Sequence, residues 1–592
     1  MSFEMIFVLV MIILMMAGLA FEVARPDMIV FGTVTIFLLF GILTPEEALR
    51  GFSNEGMLTV ALLFIIAGVI QKSGVVESAI RKILGSGKSE KMSLFKILVP
   101  VSGLSGFLNN TPIVVAFTPL LRKWCVDNGL SPSKFLIPLS YVTVLGGTIT
   151  LIGTSTNLVV HGLMLDYGMK GFSMFELAVV GIPITIIGIL YLLTIGHKVL
   201  PNHKVSPTEK LKEQTRDYMC EFVVGSDYPF INKSVGEAGL RHLEGLFLVA
   251  IIRDDMKFSP VKSTTKIEAG DRLIFAGLLS TIAELQQRKG LAIETGTDLT
   301  LETLKNGNSQ LVEVVVSDQS PLVYKKIRDT QFRGRYDAAI IAVHRNHERV
   351  KSKIGEIVLK PGDTLLLLTG SDFLERDHYN DFYVVTPLET PKTVEDNTKG
   401  ALIALITMLV MIIFVTFNVL SMFKAMALAT IILLLLRIVS PEEAKQSIQF
   451  NVLLLIASSF GIGAALLNTG TAAWIANGLV SFTEPLGLFF VLLIIYLITN
   501  IFTEIMSNTA TAVMMFPIGV EMANQLSINP MSVIVLVTIA ASAAFATPIG
   551  YQTNLIVYGP GGYHFKDYMK VGIPLNLLCM VVAVSIVYMV WL

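Results

Sequence analysis

Inside the run Ile505–Gly519, which carries no charged side chain, the chain sets Ser507, Asn508 and Thr509 side by side. An amide between two hydroxyls, with apolar sequence on both flanks, is costly at membrane depth unless it lines a cavity or a site. Roughly 400 residues earlier the pattern recurs, in Ser102–Leu121, where Asn110-Thr111 answers to Asn508-Thr509. Backbone broken at that depth is tolerated only where protein or a cavity shields it. Each stretch is therefore expected to be two half-length helices meeting at a polar tip, a re-entrant hairpin, at about 93–121 and about 487–519.

The surrounding sequence supplies the membrane. Of 592 residues, 53% are hydrophobic and 15% charged, which marks a polytopic α-helical membrane protein rather than a soluble chain. A net charge of −1 argues against a nucleic-acid binder. Cys125, Cys220 and Cys579 lack metal-ligand spacing and read as free thiols. The start, Met1–Met5, has no basic n-region, so the first apolar run reads as a retained helix. Apolar runs fall at about 5–21, 27–43 and 56–71, then 136–160 and 175–196. They return at about 400–417, 421–438 and 452–468, then 531–558 and 571–591. Each half thus offers five spans and one hairpin, as membrane repeat 1 (1–200) and membrane repeat 2 (400–592).

Between the halves the composition turns charged, with short β-branched runs. Ala250–Arg253 and Ala269–Gly277 recur as Ala342–Arg345 and Lys360–Leu368, Arg253 to Arg345 and Asp271 to Asp363 at one common spacing. Two copies of a small α/β module are expected, at about 205–290 and 296–388.

The membrane halves also match each other. Thr44–Ala48 answers to Ser440–Ala444, Gly153–Val160 to Gly550–Val557, and Val180–Pro183 to Val571–Pro574. Lys72, Arg81, Lys82, Lys88 and Lys91 precede the first hairpin, and Arg122, Lys123 and Lys134 follow it. The matching loops 469–485 and 520–530 hold no Lys or Arg. By the positive-inside rule the first hairpin enters from the cytoplasm and the second from outside, with the insert cytoplasmic. Opposed hairpins in an inverted repeat are the build of a secondary transporter.

The polar breaks define the chemistry. Asn109, Asn110, Thr111, Gly153, Thr154 and Asn157 come from the first half. Ser507, Asn508, Thr509, Thr547, Gly550 and Asn554 come from the second. Amide, hydroxyl and freed carbonyl oxygens suit a hard monovalent cation such as sodium, and not zinc or iron. Helix N-termini after Thr111 and Thr509 favour an anion. No Arg or Lys lies in the breaks, so anion and cation should bind cooperatively. The bland alternative is that these residues are helix caps and interhelical hydrogen-bond partners.

These paired motifs resemble the Ser-Asn-Thr signatures of the divalent anion:sodium symporter family, the sulfate and dicarboxylate carriers. The resemblance covers roughly 1–200 and 400–592. It implies one sodium site at Asn109, Asn110, Gly153, Thr154 and Asn157, with Asn109 standing where the family usually has Ser. It implies a second at Ser507, Asn508, Thr547, Gly550 and Asn554, and an anion facing Asn110, Thr111, Asn508, Thr509, Thr547 and Pro548. It also implies a homodimer of elevator type in the plasma (inner) membrane. The insert is similar to the RCK_C (TrkA-C) subdomains of potassium-conductance regulators, through Ile251–Arg253 and the Gly270-Asp271 and Gly362-Asp363 turns. Such modules pair and bind small regulators, none of which is identified here; a dimerisation or trafficking role without a ligand is the other reading. Carriers with this insert resemble sulfate carriers of algae and cyanobacteria.

Several residues are discounted. Glu504 is either a proton-coupling carboxylate or an acid paired to a neighbouring hydroxyl. His161, matched by Tyr558, reads as a helix-end hydrogen-bonding residue. Met11 to Met16 read as lipid-facing packing, and Gly561-Gly562 as a loop with no Walker lysine. No nucleophile with a base and an orienting acid stands out, so no enzyme is expected. The expected function is sodium-coupled import of a small divalent anion, sulfate first and succinate or malate as the alternative. A cation/proton antiporter would want titratable residues at the breaks, and a channel a carbonyl filter; a transporter-like sensor stays open.

Overall fold

The computed structural model describes residues 2–21, 23–72, 89–202 and 398–592, and within the insert 219–240, 246–254, 256–258, 261–262, 264–277, 290–293, 310–317, 320–345, 348–350, 354–369, 373 and 381–387. Arg81, Lys82 and Lys88, which carry part of the orientation argument, lie outside the described residues, as do most of the joints that bound the two expected modules. The chain divides into two compact units. One comprises Met1–Asn202, Val394–Val557 and Phe565–Leu592; the other comprises His203–Thr393 with Tyr558–His564.

The first unit is helical. Its first half contains α1 (Phe3–Ala20), α2 (Pro26–Leu39), α3 (Glu55–Lys72), α4 (Glu90–Ser105), α5 (Asn110–Asp127), α6 (Leu136–Gly147), α7 (Ser155–Asp166) and α8 (Ala178–Tyr191). Its second half contains α9 (Thr398–Thr416), α10 (Met422–Leu435), α11 (Phe450–Asn468), α12 (Thr471–Thr483), α13 (Leu488–Thr503), α14 (Asn508–Gln525), α15 (Pro530–Ser542), α16 (Gln552–Gly561) and α17 (Phe565–Val590). Among the described residues, five helical stretches are long and apolar enough to cross a membrane: Phe3–Ala20, Pro45–Val69, Ala178–Val199, Phe450–Asn468 and Phe565–Val590. The protein is an integral membrane protein.

Local sequence explains the matched starts. Pro45 opens a short helix, Pro45–Leu49, and Pro441 opens its counterpart, Pro441–Ser447. In both, the preceding hydroxyl residue closes a capping box with a glutamate three residues on. Glu47 N donates to Thr44 Oγ1 at 3.2 Å and Glu443 N to Ser440 Oγ at 3.2 Å. Helices α6 and α15 form the centre. Every residue of α6 and all of Ser532–Ser542 in α15 are buried, as befits helices apolar all round. Helix α6 packs on α4 and α5, and α15 on α13 and α14.

Two expectations are revised. The paired helices are longer than the expected hairpins of about 93–121 and about 487–519, running over 90–127 and 488–525 around the breaks. Apolar sequence alone undercounts them because Glu90, Lys91 and Arg122 at one and Glu521 at the other continue the helix in polar register. The stretch 469–485, read as a loop, contains α12. Buried Ala472, Ala476 and Val480 recur at four-residue spacing there and give the helix its inner face.

The second unit carries two five-stranded antiparallel sheets. Strands β1 (Met219–Val224), β2 (Leu246–Arg253), β3 (Met256–Phe258), β4 (Arg272–Gly277) and β5 (Leu291–Ile293) lie in the order β3-β2-β4-β1-β5. Strands β6 (Gln310–Val316), β7 (Ala338–Arg345), β8 (Glu348–Arg349), β9 (Thr364–Thr369) and β10 (Phe382–Pro387) repeat it as β8-β7-β9-β6-β10. Register repeats too. Phe222 faces Leu273 as Val314 faces Leu365, and a bulge between Leu248 and Ala250 recurs between Ile340 and Ala342. Gly270 and Gly362 turn into β4 and β9 at φ of +88° and +82°, where a side chain is strained. The aspartates that follow are buried and hold the repeated arginines in bidentate pairs. Arg253 donates to Asp271 at 2.7 and 2.9 Å, Arg345 to Asp363 at 2.7 and 2.7 Å. The hydrogen bonds from Arg253 to Asp271 raise its guanidinium above the ordinary arginine value.

Candidate functional site

Each break is built by a hydroxyl on the last turn of one helix and an asparagine on the first turn of the next. Ser105, ending α4, donates to Asn110 Oδ1 at 2.6 Å and lies 2.7 Å from the Thr143 carbonyl. Thr503, ending α13, stands 2.9 Å from Asn508 Oδ1 and 2.5 Å from the Ala541 carbonyl. These bonds orient the two amides and leave each Nδ2 to point onward. Asn109 is the N-cap residue of α5 but makes no cap bond, whereas Ser507 caps α14 by accepting from Ala510 N at 3.4 Å. Thr509 is buried in the first turn of α14.

The downstream loops are braced alike. Asn157 Nδ2 donates to the carbonyls of Gly147 (3.2 Å) and Thr150 (2.8 Å); Asn554 Nδ2 donates to those of Ala544 and Thr547, both at 3.0 Å. Thr150 donates its hydroxyl to the Gly106 carbonyl, and Thr547 Oγ1 lies 3.2 Å from the Glu504 carbonyl. Gly153 folds so closely on Gly147 that a Cβ there would meet the Gly147 oxygen at 2.4 Å. Pro548 is buried behind Thr547.

The oxygens of the two asparagines differ. Asn554 Oδ1 accepts from Ser140 Oγ at 2.7 Å. Asn157 Oδ1 is buried and has no hydrogen-bond partner among the described residues. A carboxylate makes a further difference. Glu504 accepts from four neutral donors: Ala546 N (2.7 Å), Thr547 N (2.9 Å), Thr547 Oγ1 (2.8 Å) and Asn576 Nδ2 (2.9 Å). Its hydroxyl partner is Thr547. In the first half its place is taken by Gly106, one residue after Ser105 as Glu504 is one after Thr503. The carboxylate also lies against Gly550, whose added Cβ would meet Oε2 at 2.8 Å.

The two breaks meet at one atom. Asn110 Nδ2 donates to the Tyr551 hydroxyl at 2.6 Å and Thr154 Oγ1 stands 3.1 Å from it, with the Asn508 amide close enough to act on the same hydroxyl. Beside this junction Thr111 donates to Gln552 Oε1 at 3.0 Å. Asn110, Thr154 and Asn508, all named from the sequence, are thereby brought together. The set centred on Asn157 and the set centred on Asn554 lie in their own loops. What the arrangement offers is neutral oxygens, the unpaired Oδ1 atoms of Asn157 and Asn576 among the described residues, one carboxylate and two helix starts.

A family model described as a citrate transporter matches residues 10–538. The chain belongs to that family. It is a transporter and not an enzyme. This transporter is 33% identical, over 95% of its length and 98% of the relative's, to a Chlamydomonas reinhardtii protein with the provisional name of sulfur deprivation response regulator. It is 32% identical, over 92% and 90%, to an uncharacterized transporter of Synechocystis. It is 26% identical, over 93% and 86%, to sodium/sulfate cotransporter 2 of Chlamydomonas reinhardtii.

Sequence reasoning left out Tyr551, Gln552, Ser105, Thr503 and Ser140. Signals existed for some. Ser105 and Thr503 sit at one spacing, five residues before Asn110 and Asn508, in otherwise apolar helix ends. Tyr551 stands where Thr154 stands in the other half, a large residue for a small one at a matched position.

Proposed function

We propose that this chain is a sodium-coupled symporter that imports a small divalent anion, sulfate first. The observation that carries the reading is the junction at Tyr551, because it brings the starts of α5 and α14 within reach of one ligand. Free N–H groups and aligned peptide dipoles at two helix starts favour an anion between them. Sodium fits the flanking loops. Asn157 Oδ1 is a buried acceptor without a donor, a vacancy that a cation relieves where another hydrogen-bond donor is lacking. Asn109, Asn110, Gly153 and Thr154 are the proposed company of that site. Ser507, Asn508, Thr547, Gly550 and Asn554 form the second, which Glu504 makes the more attractive to a cation. Thr111, Thr509 and Pro548 complete the proposed anion wall. Positive charge on both sides then compensates an anion that meets no Arg or Lys, which is the physical basis of coupling.

The matched helix order and the matched bonds of Ser105 and Thr503, and of Asn157 and Asn554, support an inverted repeat; with it we propose an elevator-type homodimer in the plasma membrane, the insert facing the cytoplasm. The common strand order and register of the two sheets support a pair of RCK_C-like modules at about 205–290 and 296–388, with a small regulatory ligand. Sulfate is favoured over a dicarboxylate by the names of the sodium/sulfate cotransporter relatives, similar over more than nine-tenths of the chain. The similarity to a sodium-dependent dicarboxylate transporter of Staphylococcus saprophyticus covers 26% of it.

The test is labelled sulfate uptake into proteoliposomes with and without an inward sodium gradient, with unlabelled succinate as competitor. Sodium-driven uptake that succinate leaves alone and Asn508→Ala abolishes is the expected result. Uptake blocked by succinate moves the substrate to dicarboxylates, and sodium-independent behaviour toward both sinks the reading.

A further inference from the structure

The hydroxyl at which the two breaks meet belongs to a residue far larger than its counterpart. Matching Gly153–Val160 with Gly550–Val557 sets Tyr551 opposite Thr154. With a short hydroxyl residue at both places, the gap between Asn110 and Asn508 would be left to ligand. Here a phenol fills it. Its oxygen takes a hydrogen bond from Asn110 Nδ2 at 2.6 Å and lies 3.1 Å from Thr154 Oγ1, with the Asn508 amide beside it. The contacts to Asn110 and Thr154 hold the ring, so the tyrosine is a wall with a single polar point.

That wall distinguishes two kinds of dianion. A four-carbon dicarboxylate carries its charges at opposite ends. To be held by both helix starts it must lay its methylenes along the line from Asn110 to Asn508, and Tyr551 occupies that line. A tetrahedral oxyanion concentrates the same charge in one compact group, which needs donors converging on a small volume and no passage between the asparagines. A mismatch of shape in a filled pocket discriminates by one to two orders of magnitude, and a buried polar group left unpaired discriminates further.

We propose that Tyr551 is a specificity-determining residue of the anion site: its hydroxyl, tied to Asn110 and Thr154, closes the space between the two breaks to dicarboxylates and leaves a site for a compact tetrahedral oxyanion. The inference rests on the carrier reading above and adds the shape of the substrate to it. Tyr551→Thr restores the residue type of position 154 and opens the gap; Tyr551→Phe keeps the wall and removes the hydroxyl.

The experiment measures sodium-driven uptake of labelled sulfate and labelled succinate by the full-length wild type and both variants in the same proteoliposomes. Ligand-induced thermal shifts of the purified proteins with sodium sulfate and sodium succinate are recorded alongside. The wild type is expected to prefer sulfate. Tyr551→Thr should raise the succinate-to-sulfate ratio at least about tenfold. Tyr551→Phe should keep succinate excluded while raising the KM for sulfate about tenfold through loss of a buried polar partner. A wild-type ratio in Tyr551→Thr overturns the assignment and leaves the carrier reading standing, as does a wild type that prefers succinate. If Tyr551→Thr does not fold, unchanged sulfate KM in Tyr551→Phe overturns it. A wild type that neither transports nor is stabilised by either anion overturns the carrier reading and this inference together.

Discussion

Asn157 and Asn554 each brace a loop with the amide nitrogen and part company at the oxygen. The Asn554 oxygen is satisfied by Ser140, and that of Asn157 is buried without a donor among the described residues. An unsatisfied buried acceptor costs about 1–3 kcal/mol, so a cation that relieves it gains that much in affinity. Asn157→Ala is therefore expected to raise the sodium concentration for half-maximal uptake about tenfold, while sulfate affinity at saturating sodium moves far less. A sodium titration of uptake at fixed sulfate checks it, and an unchanged half-maximal sodium concentration would remove Asn157 from the cation site. Much at this scale was legible in the sequence. Asn110, Asn508 and Thr154 announce themselves because an amide or hydroxyl in an apolar run needs a reason. Tyr551 and the donors around Glu504 do not. A tyrosine is unremarkable in any apolar segment, and its partner Asn110 lies 441 residues away. Nothing in the residues next to Glu504 tells that Thr547, 43 residues on, will supply both an N–H and a hydroxyl.

At the scale of elements, the breaks hold their shape by close backbone approach. A Cβ at Gly153 would press on the Gly147 carbonyl oxygen at 2.4 Å, and backbone cannot swing aside as a side chain can. Overpacking of this kind costs about 1–3 kcal/mol or more. Gly153→Ala is expected to abolish uptake, whereas Gly103→Ala, on helix α4 with nothing within 4 Å of the added carbon, is expected to leave uptake at the wild-type level. Transport by both variants, set beside their surface expression, separates a distorted site from a lost protein. Helix existence was legible here, and helix ends were not. The capping boxes at Thr44 and Ser440 are written in adjacent residues, so the short helices they open can be read directly. Helix α12 was missed because 469–485 lacks a long apolar run, and its four-residue spacing of small buried residues is a faint signal beside α13.

Across the whole molecule, local features recur in pairs: the capping boxes and break bonds of the helical unit, and the strand order of the two sheets, each appear twice. In the insert the duplicated Arg–Asp pair anchors the turn into the fourth strand of each sheet. Asp363→Ala strips Arg345 of its bidentate partner and leaves a half-buried guanidinium, so the second module should lose about 3 kcal/mol. Hydrogen exchange of the full-length protein would register this as lost protection across β6, β7 and β9, with β1, β2 and β4 unaffected. Equal loss in both sheets would mean that the two modules unfold as one. The repeat was readable because Arg253, Asp271, Arg345 and Asp363 recur at one spacing. Strand order was not, because pairing among five short strands depends on contacts that no local pattern encodes.

The bonds that cross between the helical halves also bear on how the chain is made. Asn110, Thr111, Ser140 and Tyr141 find their partners 441, 441, 413 and 404 residues later. At about 5–20 residues per second, a ribosome needs roughly 20–90 seconds to deliver them. Through that interval the first half sits with its polar groups unanswered, and its biogenesis depends on whatever in the cell shelters such a half-built bundle until the second arrives.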